Sequence, residues 1–305
     1  MIRIPFLRAM SAARDSTSAR PAVVVGGWYT GHVAAIPSST EEQNVTTSSD
    51  VQDVKIAEPL VSEVFYTIQG EGPSTGRPAL FIRLGGCNLH CKWCDTPYTW
   101  VYNERNAERH HAGVMYDPQE ELRRVSGQNL VRRILREFPI EGLVVISGGE
   151  PMLQQEAIAR IVAELRSQPW YGNVEIETAG TILPSHEILN RKIHWNVSPK
   201  LSHSGNELEL RYNRPALQVL AEDHANFKFV VRHDTIDNRD ADLAEISAIV
   251  SDIGIPKSKT WIMPLGTSPV EVLQGGEALV ESVMERKWNL TLRTHTLLWG
   301  NERGH

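Results

Sequence analysis

The sequence is short of cysteine, of long apolar segments and of positive charge, and each shortage narrows the functions to consider. Only 3 of its 305 residues are cysteines, an odd number, so a disulfide would leave one thiol unpaired. No apolar run approaches the ~18 residues that a membrane-spanning helix needs. Lys and Arg number 31 against 37 Asp and Glu, and the net charge of -6 disfavours broad binding to nucleic acid, which needs a positive field. We therefore expect neither a membrane nor a nucleic acid as a partner.

The cysteines all lie in one short segment, FIRLGGCNLHCKWCDTPYTW, with the spacing C-x3-C-x2-C. They are Cys87, Cys91 and Cys94. Cysteines used only for packing would be scattered among strands and helices, so three thiols in one turn indicate a ligand set. A closed zinc site needs a fourth ligand, and a four-iron cluster normally takes four cysteines. With three, one iron would stay open to a small molecule.

Three other interpretations of these thiols stay open. A zinc site could use His90 as its fourth ligand, although His90 and Cys91 are adjacent and would both have to face the metal. A disulfide would suit a secreted protein. The thiols could also be unligated. Reduced thiols in a ligand loop imply a reducing compartment, so we expect the cytoplasm.

The later part of the chain alternates short apolar segments with amphipathic helical patterns, such as Val131, Ile134, Leu135 and Phe138. This alternation is typical of parallel strands joined by right-handed crossovers. The sequence therefore predicts an α/β fold, an incomplete TIM-like barrel of about six parallel strands, in which ligands bind at the carboxyl ends of the strands. The six predicted parallel strands are residues 79–84, 143–147, 174–178, 193–198, 227–231 and 260–263, and residues 61–67 predict a further strand ahead of them.

Two segments differ from this pattern. Residues 1–55 are rich in small polar residues, which predicts a mostly disordered extension before a folded core at residues 56–305. Its arginines resemble those of an organelle transit peptide, but we favour a simple tail or an over-long start. Residues 98–117 form a long polar segment that we interpret mainly as a surface loop. A lid or a docking surface for a reductase is the alternative.

Motifs follow several predicted strands. Gly148, Gly149 and Glu150 come after the strand 143–147. The glycines would let the backbone approach a ligand closely, and the Glu150 carboxylate can accept hydrogen bonds from an ammonium. The alternative is an ordinary turn.

The next two strands also carry polar groups. Glu175 and Glu177 share one face of their strand; facing the interior, their charges would be costly unless paired or used. The alternative is a solvated edge. Ser198, Pro199 and Lys200 offer a hydroxyl, a carbonyl and a cation, which suit a ribose or a carboxylate.

The cysteine spacing, with Trp93 before the third cysteine, resembles the motif of the radical S-adenosylmethionine (SAM) superfamily. The resemblance implies a [4Fe–4S] cluster whose open iron is chelated by the amino and carboxylate groups of SAM. One electron would then cleave SAM to methionine and a 5′-deoxyadenosyl radical. In this superfamily a GGE motif at this position binds the amino group of SAM.

The runs QGEG, CDT, SGGEP, ETAGT and SPK, in this order, resemble the 7-carboxy-7-deazaguanine synthase family over roughly residues 58–300. The resemblance implies 6-carboxytetrahydropterin as the substrate, which loses a hydrogen to the radical, contracts its ring and releases ammonia. It also implies that SAM is regenerated, that Mg²⁺ supports the step, that a flavodoxin or ferredoxin donates the electron, and that the protein is a homodimer.

Site residues carry over from the resemblance, one position at a time. Arg83 would bind the substrate carboxylate bidentately, unless it makes a salt bridge at the rim. Thr96 would be the protein's Mg²⁺ ligand. The match at His295 is looser, and a packing histidine is its alternative. The expected pterin contacts are Ile68, Gln69, Gly70, Glu71, Arg83, Ser147 and His295. The expected SAM contacts are Trp93, Cys94, Asp95, Gly149, Glu150, Ser198, Pro199 and Lys200.

Three alternative functions remain. A glycyl-radical activating enzyme fits the cysteine motif, but QGEG and CDT favour a small polar substrate with Mg²⁺. A non-catalytic zinc module would be colourless. A radical enzyme that modifies nucleic acid would need a basic stripe, which the sequence lacks.

Overall fold

The computed structural model describes residues 58–138, 142–168 and 172–305, so the extension predicted for residues 1–55 lies outside the described residues. The strands are β1 (Leu60–Ile68), β2 (Pro78–Leu84), β3 (Arg123–Arg124), β4 (Leu143–Gly148), β5 (Asn173–Thr178), β6 (His194–Val197), β7 (Asn226–Val231), β8 (Thr260–Pro264) and β9 (Asn289–Leu290). The helices are α1 (Glu104–Arg109), α2 (Pro118–Glu121), α3 (Gly127–Glu137), α4 (Gln155–Ser167), α5 (His186–Leu189), α6 (Leu208–Arg211), α7 (Arg214–Glu222), α8 (Ile236–Ile253), α9 (Pro269–Arg286) and α10 (Thr294–Trp299).

The described strands form one open sheet in the order β3-β1-β2-β4-β5-β6-β7-β8-β9. Strand β1 pairs antiparallel with β2 and β3, and the neighbours from β2 to β9 all pair in parallel. The α/β class is thus confirmed. The sequence prediction omitted the two-residue strands β3 and β9, which are too short to show an apolar pattern.

The strands β4 and β5 lie in the middle of the sheet and are buried on both faces. Val144, Ile146 and Ile176 are fully buried, as expected for a parallel sheet covered by helices. Helix α4 turns its apolar positions, among them Ile158 and Val162, into this core.

Helix α8 shows how the sequence sets helix ends. The Thr235 side chain accepts a hydrogen bond from Asn238 N at the start, which satisfies a free N–H of the first turn. Gly254 ends the helix with φ +80°, a left-handed conformation that favours glycine. Within residues 58–138, 142–168 and 172–305, none of the helices combines the length and apolar character that crossing a membrane requires.

The antiparallel orientation of β1 matters for the site. Its carboxyl end lies beside the start of β2, since Ile68 pairs with Pro78. The loop that follows, residues 69–77, therefore leaves the sheet at the amino-terminal end of β2, whereas the cysteine loop follows the carboxyl end of β2. It then folds over the inner face of the sheet, where Ser74 Oγ donates to Glu175 Oε1 (2.5 Å).

Candidate active site

A cavity of about 1150 Å³ opens at the carboxyl ends of the parallel strands. Its wall is built by segments that follow β2, β6, β7, β8 and β9, together with residues of the loop 69–77. Barrels of the α/β class bind their ligands at these carboxyl ends of the strands. The cysteine loop and much of the predicted pterin set thus share one space.

The cysteine loop sits on an apolar base. Cys87, Cys91 and Cys94 are free thiols, and all three pack against the buried Leu89 and Ala179. Burial raises the pKa of each thiol, that of Cys91 to about 11. Thiolates at such a site need the positive charge of bound metal, so the donor set and its shielding fit an iron–sulfur cluster. Among the described residues, no three His, Cys, Asp or Glu side chains are placed to bind a single metal ion.

Two glycines bring the turn after β4 against the cysteine loop. A Cβ at Gly149 would lie 2.2 Å from the Gly86 carbonyl oxygen, and one at Gly148, where φ is +142°, would lie 2.1 Å from Leu84 O. The close approach predicted for these glycines is thus made to the protein's own backbone.

Glu150 has a different environment from the one the sequence suggested. Its carboxylate is 1% exposed and accepts hydrogen bonds from Thr178 Oγ1 (2.7 Å), Ala179 N (2.8 Å) and Met152 N (3.0 Å). Burial raises its pKa. The carboxylate thus ties the turn after β4 to the end of β5, and its contact with the amino group of SAM stays a prediction.

The predicted SAM residues after β6 approach Trp93 through Lys200. The Lys200 ammonium lies 5.8 Å from the centre of the Trp93 ring and donates to Ser198 Oγ (3.0 Å). On another side, Trp93 stacks on His203 and donates its indole N–H to His203 Nδ1 (3.0 Å). Trp93, Cys94 and Asp95 line the cavity, whereas residues 198–200 are not among its lining residues.

Several of the residues predicted to contact the pterin lie on the face of the sheet that carries Glu177. Gln69 Nε2 and Ser147 Oγ both donate to the Glu177 carboxylate, at 3.0 and 2.9 Å. A Cβ at Gly70 would lie 2.0 Å from His295 Nδ1, so only glycine fits beside this histidine. The members that line the cavity are Ile68, Gln69, Glu71, Arg83 and His295. The solvated edge considered for Glu175 and Glu177 is wrong, because both carboxylates accept internal hydrogen bonds.

A chain of charges joins three distant segments across the cavity floor. Glu71 pairs with Lys228 and, at 3.1 Å, with Arg293 Nε; Arg293 also pairs with Asp95. Burial opposes the charge of Glu71, but Lys228 and Arg293 outweigh it and lower its pKa below the usual range. The sequence analysis missed both cations. The charged Lys228 inside the otherwise apolar strand β7 was the feature of the sequence that could have indicated a buried ion pair.

Arg83 is held by a second group of charges. Its Nε donates to Glu63 Oε1 (2.6 Å), and Glu63 also accepts from Tyr98 (2.9 Å) and Arg303 (2.8 Å). The ion-pair alternative for Arg83 is thus realised, yet Arg83 also lines the cavity. Within the described part of the chain, its two Nη atoms have no hydrogen-bond partner.

The surface loop predicted for residues 98–117 holds for most of the segment, since residues 103–105 and 111–115 are exposed, but it is wrong for residues 98–101. Tyr98, Trp100 and Val101 are buried, and His110 Nε2 lies 2.8 Å from Cys94 O. Thr96, just before this segment, is buried with Oγ1 3.6 Å from Cys94 Sγ. The segment therefore forms the wall beside the cysteine loop.

Replacing Glu71 by Gln should destabilise the protein in a pH-dependent way. Because the folded pKa of Glu71 is lowered, its contribution is present above the unfolded pKa of about 4.3 and is lost as the pH falls through the lower folded value. At pH 7 the loss should reach about 3 kcal/mol, since the buried Lys228 loses its ion-pair partner and Arg293 loses one of its two.

Urea unfolding of wild type and Glu71→Gln between pH 7 and pH 3.5 measures this. The difference in unfolding free energy should shrink below about pH 4.3. The exposed Glu281→Gln is the matched control, with changes within about 0.5 kcal/mol. A difference that stays constant across this range would contradict the assignment.

Comparison with known proteins agrees with this geometry. A family model described as a 4Fe-4S single cluster domain matches residues 68–220. The 7-carboxy-7-deazaguanine synthase of Pyrobaculum aerophilum is 33% identical over 246 residues, which are 80% of this chain and 96% of that protein. The synthase of Escherichia coli (strain K12) is 30% identical over 244 residues, covering 78% and 97%.

A solved structure is similar as well. The crystal structure of QueE from Escherichia coli superposes with a TM-score of 0.57 at 25% sequence identity, over 81% of this chain and 100% of that one. Together with the identities above and the arrangement of the cysteine loop, this shows that the chain belongs to the 7-carboxy-7-deazaguanine synthase family, the radical SAM enzymes of 7-deazapurine biosynthesis.

Proposed function

We propose that this chain converts 6-carboxy-5,6,7,8-tetrahydropterin to 7-carboxy-7-deazaguanine by ring contraction with loss of ammonia. The observation that carries the proposal is the shared cavity, in which Cys94 of the cysteine loop lies with Glu71 and Arg83 of the pterin set. The parallel strands β2 and β4 to β8 would be the partial TIM-like barrel of the superfamily. Their carboxyl ends carry most of the lining segments.

The cysteine loop would hold the cofactors. Cys87, Cys91 and Cys94 would ligate a [4Fe–4S] cluster, and SAM would chelate its open iron. When bound, these groups supply the 5′-deoxyadenosyl radical that removes a hydrogen from the substrate. Trp93 lines the cavity and would contact the adenine, while His203 accepts its indole N–H and Lys200 lies over its ring.

The protein's own groups would bind and orient the pterin. The two Nη atoms of Arg83 are free to bind a carboxylate bidentately, while Glu63 fixes the guanidinium through Nε. Glu71 stays ionised beside Lys228 and Arg293, so it can accept hydrogen bonds from ring N–H groups. Burial lowers the pKa of His295, which favours the neutral imidazole at pH 7.

Further partners follow from the family. Thr96 Oγ1 would bind Mg²⁺ together with water and substrate oxygens. A flavodoxin or ferredoxin would donate the electron in the cytoplasm, and the protein would act as a homodimer, without nucleic acid or membrane. Light scattering tests the dimer, and a monomer mass would reject it. Turnover with a purified flavodoxin system replacing dithionite tests the electron donor.

The function is tested anaerobically with the full-length protein. The protein is reconstituted with iron and sulfide and supplied with SAM, dithionite, Mg²⁺ and 6-carboxytetrahydropterin, and products are followed by mass. A mass peak for 7-carboxy-7-deazaguanine is expected. Deoxyadenosine without that product would reject the substrate but keep the radical chemistry. Bound zinc without cluster absorbance would reject the enzyme.

Replacing Arg83 by Ala should weaken binding of the carboxylated pterin by ~2–5 kcal/mol, the range for losing a buried charge partner. Iron content and SAM cleavage should stay as in wild type, because the hydrogen bonds to the three cysteine sulfurs come from other residues. Equilibrium dialysis of the substrate gives the affinity. Arg136→Ala, whose side chain is 74% exposed, is the control. A fall in iron content would instead assign Arg83 to the fold.

Replacing Thr96 by Val removes the hydroxyl but keeps the shape. If Thr96 is the Mg²⁺ ligand, the Mg²⁺ concentration for half-maximal turnover should rise about tenfold or more, comparable with other lost metal-site groups. The buried Thr260→Val, at the far end of β8, should respond to Mg²⁺ as wild type does. An unchanged response in Thr96→Val would remove Thr96 from the metal site.

A further inference from the structure

Each sulfur of the cysteine loop receives at least one N–H group. Leu89 N lies 3.4 Å from Cys87 Sγ, Asn206 Nδ2 lies 3.3 Å from Cys91 Sγ, and Trp100 Nε1 lies 3.3 Å from Cys94 Sγ. The first donor belongs to the loop itself. Asn206 and Trp100 stand outside the cysteine motif, and Asn206 is 115 residues from its sulfur.

The orientation of Asn206 is fixed by its other bonds. Its Oδ1 accepts from His90 N (2.8 Å), which only the carbonyl oxygen of the amide can do. The NH₂ group must therefore point to Cys91, with Ser204 Oγ as its second partner at 3.2 Å. The side chain is 9% exposed, and Arg211 binds the backbone oxygen of Asn206 (3.2 Å).

The position of Trp100 is also fixed by several contacts. It is 4% exposed, and its backbone oxygen accepts from Asn106 Nδ2 (3.1 Å). The rings of His90 and His110 meet the indole edge-on at 5.1 and 6.2 Å. An indole N–H only donates, and Cys94 Sγ is its acceptor. A neutral thiol is a weak acceptor, so this buried donor suits a thiolate better than a thiol.

The effect on a bound cluster follows from charge. The oxidised cluster takes up one electron and no proton, so the reduced form carries one more negative charge, part of it on the cysteine sulfurs. N–H dipoles aimed at those sulfurs stabilise the more negative form. Hydrogen bonds to the sulfurs are one of the factors that set the potentials of iron–sulfur proteins.

We propose that Trp100 and Asn206 are positioning residues that hold the Cys94 and Cys91 thiolates by N–H···S hydrogen bonds and raise the reduction potential of the cluster. The inference rests on the proposed function, because it needs the cluster. Failure of the cluster assignment would show as absence of a cluster, and failure of the proposed substrate would leave the cluster and its potential measurable. Failure of this inference would show as a cluster whose reduction potential is the same in wild type and in the variants of both residues.

The test is an EPR-monitored redox titration of the reconstituted full-length protein without SAM, with dithionite as the electron source. Trp100→Phe keeps an aromatic ring and removes the donor. Its potential should fall by about 59 mV, which corresponds to a tenfold change in equilibrium constant for one electron. The matched control is Trp195→Phe. Trp195 is also buried, but its N–H donates to Asp223 (2.7 Å) in another part of the fold, so its potential should equal that of wild type.

If Trp100→Phe fails to hold the cluster, a second variant and a second readout still test the inference. Asn206→Asp keeps the acceptor for His90 N and replaces the donor by an oxygen, so the potential should again fall. In unaltered holoprotein, the Fe–S(Cys) stretching bands in resonance Raman spectra should shift between H₂O and D₂O. Unchanged potentials in the variants, or bands insensitive to D₂O, would overturn the inference.

Discussion

The Glu71 carboxylate joins three parts of the chain that are far apart in sequence. It lies on the loop after β1, its partner Lys228 comes from β7, and Arg293 comes from the segment after β9 and continues to Asp95 of the cysteine loop. Ions buried in this way are stable only with their partners. The cavity floor, the cysteine loop and the C-terminal segment therefore hold one another in place, and a ligand meets groups whose charges are already compensated.

The glycines of the site serve close packing of the backbone. Gly149 lies against Gly86 and Gly70 against His295 with no room for a Cβ. Because of the first contact, the turn after β4 supports the cysteine loop. Glu150 secures that turn to the end of β5 by side-chain hydrogen bonds. The motif predicted to contact SAM thus has a structural role that the motif alone does not reveal.

Much of the fold was predictable because apolar strands such as β4 are continuous and helices such as α4 repeat at 3.6 residues. The ligand loop was predictable from the cysteine spacing, and the pterin set from short motifs. The missed groups, among them Glu63, Arg293 and Asn206, act through contacts between residues distant in sequence. Such contacts depend on how loops fold over the sheet, which a local pattern does not encode. The start of the segment 98–117 was misread for a similar reason: the polar composition of the segment concealed Tyr98 and Trp100, which are buried.

The pair between Asp95 and Arg293 spans 198 residues, and this has a consequence for biosynthesis. The ribosome makes the chain from its N-terminus, so the cysteine loop emerges long before the segment that closes the cavity floor. Contacts of such long range form late in folding. Until then the three thiols lie beside an incomplete wall, where iron and oxidants reach them more easily than in the finished protein. Cluster insertion would thus be easiest in the interval between synthesis of the loop and docking of Arg293.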